Sequence, residues 1–207
     1  MKERKKRRNK TVIFNYRQAQ CIVCLFLICI LSACEEEYSP KPYGYYRIDF
    51  PEKSYKALEE GYPYRFEVPS NAIVEQDRAA DAEPYWVNIY YPAYQAKIHI
   101  SYKKIESDTS LASFQQDCHR MAYTHTIKAE SINEQAFHKD PHTFGLVYLI
   151  EGNTASSTQF FVTDSTKNFL RGSLYFNSRP NKDSLAPIIN YIRQDVINLI
   201  ETIEFNY

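Results

Sequence analysis

Glycine is scarce in this chain, and each one stands alone. The 207 residues contain five, at Gly44, Gly61, Gly145, Gly152 and Gly172. Loops that cradle a phosphate or a dinucleotide need two or three glycines within a few positions, so that the backbone can turn tightly and approach the anion. No such cluster exists, which excludes a P-loop or a dinucleotide fingerprint. The aromatic content, with 18 Tyr and 12 Phe, favours a β-rich fold with broad packed faces.

The formal net charge of zero hides two unlike ends. Residues 1–33 hold eight Lys or Arg against the single acid Glu3, which leaves 17 basic and 24 acidic residues in the remainder, a net −7. An acidic body lacks the surface that neutralises phosphates, so no nucleic-acid partner is expected. The basic end reads as an address. After it comes an eleven-residue apolar run, Cys21 to Leu31, which reaches only ~16 Å as a helix and falls short of a bilayer core.

A basic start, a short apolar run and a small-residue cleavage site make a secretory signal. The run ends Leu31-Ser32-Ala33-Cys34, which resembles the bacterial lipobox. Small side chains at Ser32 and Ala33 admit the peptidase, and the Cys34 thiol accepts diacylglycerol before cleavage. The expectation is a signal peptide at 1–33, lipidation at Cys34 and attachment to a membrane through the acyl chains. Cys21, Cys24 and Cys29 would leave with the leader, so Cys118 alone would remain and no internal disulfide is expected. Glu35, Glu36 and Glu37 read as solvated linker, and their place after the cysteine also resembles acidic surface-export signals.

Residues 34–43 form an acidic, proline-bearing tether, and 44–207 one globular domain. Strand-like runs appear at Tyr45–Phe50, Tyr64–Val68, Trp86–Tyr91 and Ala96–Tyr102. In the last, Ile98 and Ile100 alternate with Lys97, His99 and Ser101, the mark of a half-buried strand. The period then changes. Leu111, Phe114, Cys118 and Met121 recur at helical spacing, after Asp108, Thr109 or Ser110 as cap. Further strands are expected at Ser131–Phe137, Gly145–Ile150, Thr158–Asp164 and Phe169–Phe176. A longer helix closes the chain, capped by Asp183 or Ser184, with Pro187 in its first turn and an apolar face running from Leu185 to Ile203. Ile200–Phe205 reads as an apolar last strand. The fold class is α+β: a single domain, a mostly antiparallel sheet and two main helices, similar in order to the Mog1/PsbP type.

No residues assemble a recognisable reaction centre. There is no Gly-x-Ser-x-Gly elbow and no His-Glu-x-x-His. His138 and His142 bracket a turn broken by Pro141, and His119 and His125 lie six apart, off a common helical face. Cys118 lies on the apolar stripe and reads as an inert thiol. No catalytic residue, metal or cofactor is expected. Trp86 with Tyr43, Tyr45, Tyr46, Tyr90, Tyr91 and Tyr94 offers a platform for a glycan or a peptide, although Tyr is also an ordinary strand residue. Arg47 and Asp49, two apart in a strand, share one face and are candidates for docking a partner, or for charge protection of an edge. Arg171 has the same double reading, and Gly172 beside it marks a bulge or a close backbone approach.

Read as text, the domain resembles the gliding-motility lipoprotein GldD family of the Bacteroidota. The resemblance begins at Pro40-Lys-Pro-Tyr-Gly-Tyr-Tyr-Arg-Ile-Asp-Phe-Pro51 and continues through His99-Ile-Ser-Tyr-Lys103 and Ala122-Tyr-Thr-His-Thr-Ile-Lys-Ala129. It is densest at Gly152–Ser165 and Asn168–Phe176, and ends in Pro180-Asn-Lys-Asp-Ser-Leu185. It implies a lipid-anchored envelope protein, on the periplasmic face of the outer or inner membrane or on the surface. As accessory or assembly factor it would serve the gliding and type IX secretion machinery, with other proteins of that machinery as partners. The resemblance supplies no reaction. The reading from another class is an envelope glycan-binding protein or hydrolase with a Tyr-rich site. The two differ in whether Trp86 or several tyrosines converge with polar groups in one concavity.

Overall fold

The computed structural model describes residues 47–178 and 180–206. Three short strands come first: β1 (Tyr55–Ala57), β2 (Tyr64–Arg65) and β3 (Glu67–Pro69). Then follow β4 (Ile73–Gln76), β5 (Val87–Tyr91) and β6 (Ala96–Lys104), a meander whose last strand alternates strictly between buried and half-buried positions up to Lys103. Helix α1 (Asp108–Tyr123) carries the chain to β7 (Ala129–His138). A second meander returns through β8 (Phe144–Gly152), β9 (Ser156–Thr163) and β10 (Asn168–Phe176). Helix α2 (Lys182–Thr202) and β11 (Glu204–Phe205) close the chain.

Seven strands form one antiparallel sheet in the order β4-β5-β6-β10-β9-β8-β7, so the two meanders meet at β6 and β10. The register there sets Ser101 opposite Arg171 and His99 opposite Ser173. Because side chains alternate across a strand, each sheet face inherits its own residue set. One face collects Val87, Ile89, Ile98, Ile100, Phe160, Val162, Leu170 and Leu174, and α2 packs on it through Ile192, Val196, Leu199 and Ile200. Each such aliphatic side chain contributes about 1.5–3 kcal/mol when fully buried. The opposite face carries Tyr148, Phe161 and Phe169 under Cys118 and Ala122 of α1. The expected class is therefore the observed one: α+β, antiparallel, with two helices.

Several local expectations need correction. Residues 47–50 are not a strand. They are followed by Pro51, and Phe50 stacks on Tyr191 of α2 at 4.6 Å instead of entering a ladder. Ser107, one residue before the expected candidates, caps α1. Its hydroxyl accepts from the Ser110 amide while the Ser110 hydroxyl accepts from the Ser107 amide, a reciprocal box. Met121 is 40% exposed, and Ala122 takes its place in the buried stripe, where a small side chain lets α1 approach the sheet.

Asn181 caps α2 by accepting from the Ser184 amide. The helix therefore starts earlier than Asp183, and Pro187 falls in its second turn, where it costs an intrahelical hydrogen bond. Ile200 and Glu201 are helical, and only Glu204–Phe205 pair with β2. Gly172 marks a close approach: a Cβ there would lie 2.2 Å from the Phe160 ring.

Candidate functional site

The face under α1 is only partly covered. The helix closes over β8, β9 and the start of β10, with Phe114 against Phe169 at 5.4 Å and Phe161 stacked on Phe169 at 5.2 Å. Beyond its edge, β6 and the rest of β10 lie under a trough of about 590 Å³. The floor is built by period-two alternation. In β6, Ile98 and Ile100 point into the α2 core, so His99, Ser101 and Lys103 point into the trough. In β10, Leu170 and Leu174 are core, which turns Arg171, Ser173 and Tyr175 the same way. Phe114, Cys118 and His125 form the helix-side wall, and Trp86 closes the opposite rim.

Register joins these positions into rows. Asn88, His99, Ser173 and Gln159 lie side by side across β5, β6, β10 and β9. One row along, Arg171 sits between Ser101 and Phe161. Arg171 Nη2 donates to Gln159 Oε1 at 2.8 Å. Among the described residues, four buried side-chain polar atoms have no hydrogen-bond partner: Asn88 Oδ1, Ser157 Oγ, Gln159 Nε2 and Arg171 Nε. The strand positions of Asn88, Gln159 and Arg171 put these three on this one face, and Ser157 lies at a bulge in β9. Buried polar atoms are otherwise almost always paired, so their concentration on one surface sets it apart.

Charge follows the same asymmetry. Lys97 pairs with Glu75, and Lys103 with Glu83 while lying 5.5 Å over the Trp86 ring. Arg171 is half-buried and pairs with no carboxylate among the described residues. Its neighbours register the guanidinium. Burial, then Lys97 and Arg171, lower the His99 pKa, against an opposing pull from Asp77. Burial and then Arg171 lower that of His125. Burial pushes the Cys118 thiol up to about 11, although Arg171 pulls the other way. The thiol is therefore protonated at neutral pH and is no nucleophile.

The sequence-level candidates separate. Arg47 and Asp49 pair with each other at 3.0 Å, with side chains 90% and 83% exposed. The Phe50 next to them packs on α2, on the far side of the sheet from Arg171, so the three do not form one surface. Arg171 lies in a central strand and faces the trough, so it protects no edge. The tyrosine platform also divides. Tyr91 is buried and its hydroxyl donates to Asp195, Tyr94 packs on Phe50 and Tyr191, and Tyr90 stands under Lys97. Trp86 does converge with polar groups in one concavity, and Tyr175, against His99, lines the same trough.

Leu31, Ser32, Ala33, Cys34, Tyr43, Tyr45 and Tyr46 lie outside the described residues. Asn88, Gln159 and Ser173 escaped the sequence reading. Their signal was the polar half of the alternation in β5, β9 and β10, visible only once register joins the strands. Among the described residues, no three His, Cys, Asp or Glu gather to hold a metal ion, and no helix is long and apolar enough to cross a membrane.

Fold and trough together define a class: an antiparallel α+β domain with an aliphatic face packed under α2 and a polar trough beside α1 on the other face. The chain belongs to the gliding motility lipoprotein GldD family, whose model matches residues 35–205. Membership gives it a role in gliding motility and a lipid-anchored place in the cell envelope. No curated protein matches the sequence. Among solved structures, it is similar to the solution structure of cyanobacterial PsbP from Synechocystis sp. PCC 6803. The TM-score is 0.47 at 13% identity, over 75% of this chain and 94% of that one.

Proposed function

We propose that this chain is an accessory or assembly factor of the gliding and type IX secretion machinery, anchored through a lipidated Cys34 and acting by binding rather than turnover. The observation that carries the reading is the extent of the family match. It starts at residue 35, one position beyond the cysteine of Leu31-Ser32-Ala33-Cys34, and runs to residue 205. The site chemistry supports binding. The Cys118 thiol is held protonated, and no described nucleophile is paired with a base in the trough. The leader and the acidic tether support placement in the envelope, with the membrane and other machinery proteins as partners.

A deletion strain complemented with wild type or with Cys34→Ala tests this reading, with colony spreading and secreted proteins as readouts. The expected result is loss of both on deletion and rescue by the lipidated form alone. Normal spreading and secretion without the gene would overturn it.

A further inference from the structure

We propose that the trough is a binding site for a singly charged carboxylate carried on an apolar body. This goes beyond the motility reading and does not depend on it. Arg171 supplies the charge. It is half-buried, bonded to an uncharged amide and without an acidic partner among the described residues. A buried charge without a counter-ion is costly, and proteins retain one where an opposite charge arrives from outside. Its Nε–H is unpartnered, and so is Nε2 of Gln159, a side chain only 2% exposed. Guanidinium donors held in fixed geometry match the oxygens of a carboxylate.

The surroundings choose the kind of anion. Asp77, Asp81 and Asp117 line the same trough. Lys103 is already paired with Glu83, so Arg171 is the one unpaired guanidinium or ammonium among the described lining residues. Asp117 is paired with Arg120, so one guanidinium faces two acids without an ion-pair partner among the described residues, Asp77 and Asp81, which suits a monoanion and opposes a dianionic phosphate. Trp86, Phe114 and Phe169 supply apolar wall, which suits an aromatic or aliphatic body behind the acid. The volume of about 590 Å³ lies within the range of small-ligand pockets.

The test uses the full-length protein in detergent, titrated with 3-phenylpropanoate, its alcohol 3-phenylpropanol and phenylphosphonate. Calorimetry gives affinities, and the side-chain Nε–H resonance that vanishes in R171K reports on Arg171. The expected result is that 3-phenylpropanoate moves that resonance and binds at least about tenfold tighter than the alcohol, with no gain for the phosphonate. R171Q should lose at least about tenfold in affinity. Q159E keeps the side-chain shape but places a carboxylate against Arg171, so it should abolish binding while remaining folded. A further arm compares acetylglycylphenylalanine with its amide. Tighter binding of the peptide acid than of 3-phenylpropanoate identifies a chain terminus as the source, the reverse a free organic acid, and either supports the site. An unmoved Arg171 resonance, equal binding of acid and alcohol, preference for the phosphonate, or unchanged binding in Q159E would overturn the proposal.

Discussion

The two faces of the sheet treat buried polarity in opposite ways. On the α2 face, Asp195 is 1% exposed and fully engaged. Lys53 Nζ donates to its Oδ1 at 2.6 Å, Tyr55 Oη to the same oxygen at 3.0 Å, and Tyr91 Oη to Oδ2 at 3.2 Å. Lys53 also donates to the Tyr191 carbonyl at 2.8 Å and lies 3.2 Å from the centroid of the Tyr191 ring. On the α1 face, among the described residues, Asn88 Oδ1, Gln159 Nε2 and Arg171 Nε go without hydrogen-bond partners, and the Arg171 guanidinium pairs with no carboxylate. The first arrangement is finished within the chain. It ties the segment at Lys53 and Tyr55 to the final helix, some 140 residues away in sequence. The second is finished only by something else. A polar group buried for stability brings its partners with it, whereas one buried for binding waits for them.

The largest expected effect lies on the finished face. Asp195→Ala removes the acceptor for three donors and strands the Lys53 ammonium. That should cost about 3–5 kcal/mol in the free energy of unfolding, read from urea denaturation. A loss below ~1 kcal/mol would mean that packing alone seals this face.

Next comes a pair of adjacent residues that point to opposite faces. Gly172→Ala drives a methyl into the buried Phe160 ring and should cost about 1–3 kcal/mol. Ser173→Ala, one residue on and facing the trough, should stay within ~0.5 kcal/mol in the same assay. Equal costs would erase the distinction between the faces.

How far the sequence discloses this contrast depends on range. The α2 face was legible because its signals are local. Ile98 and Ile100 alternate within one strand, and the stripe from Leu185 to Ile203 repeats within one helix. The N-caps were missed by one to three residues, since capping depends on which nearby hydroxyl or amide reaches the first turn and several here qualify. Arg171 stood out as a charge in an apolar run, but its role was hidden. That role needs the β6–β10 pairing, which joins segments about 70 residues apart and is encoded in neither segment alone. Arg47 and Asp49 misled for the same reason. Their spacing suits a strand face, but strand status requires a neighbour to pair with, and Phe50 is held by Tyr191 instead.

The open face should also make stability depend on pH. His99 and His125 have folded pKa values below the ordinary imidazole range, chiefly through burial, with Arg171 adding repulsion and Asp77 opposing it at His99. The unfolded chain then binds more protons than the folded one as pH falls through about 6.5. The contribution is present above that pH and is lost as pH drops through the lower folded values. Denaturation midpoints should fall between about pH 7 and pH 5, and less steeply in H99Q/H125Q. An identical slope in the double variant would place the titrating groups elsewhere.

The smallest effect is expected where intuition expects a large one. Arg171→Met removes a half-buried charge that has no counter-ion among the described residues, and leaves a thioether of similar reach in the trough that Cys118, Phe114 and Phe169 line. The desolvation cost of the guanidinium disappears, which stabilises. Against this stands the lost hydrogen bond to Gln159 Oε1, a buried acceptor then left unpaired. The two terms oppose, so the net change should fall within about 1 kcal/mol of zero, on either side. The contrast with Asp195→Ala is the point, since both delete a charged group that faces the sheet or projects from it, one on each side. If Arg171→Met destabilises as much as Asp195→Ala, the guanidinium is a structural pillar and the faces are alike. If stability is unmoved while affinity for 3-phenylpropanoate collapses, the charge is held for a ligand, and the cost of burying it is the mark that the site leaves on the fold.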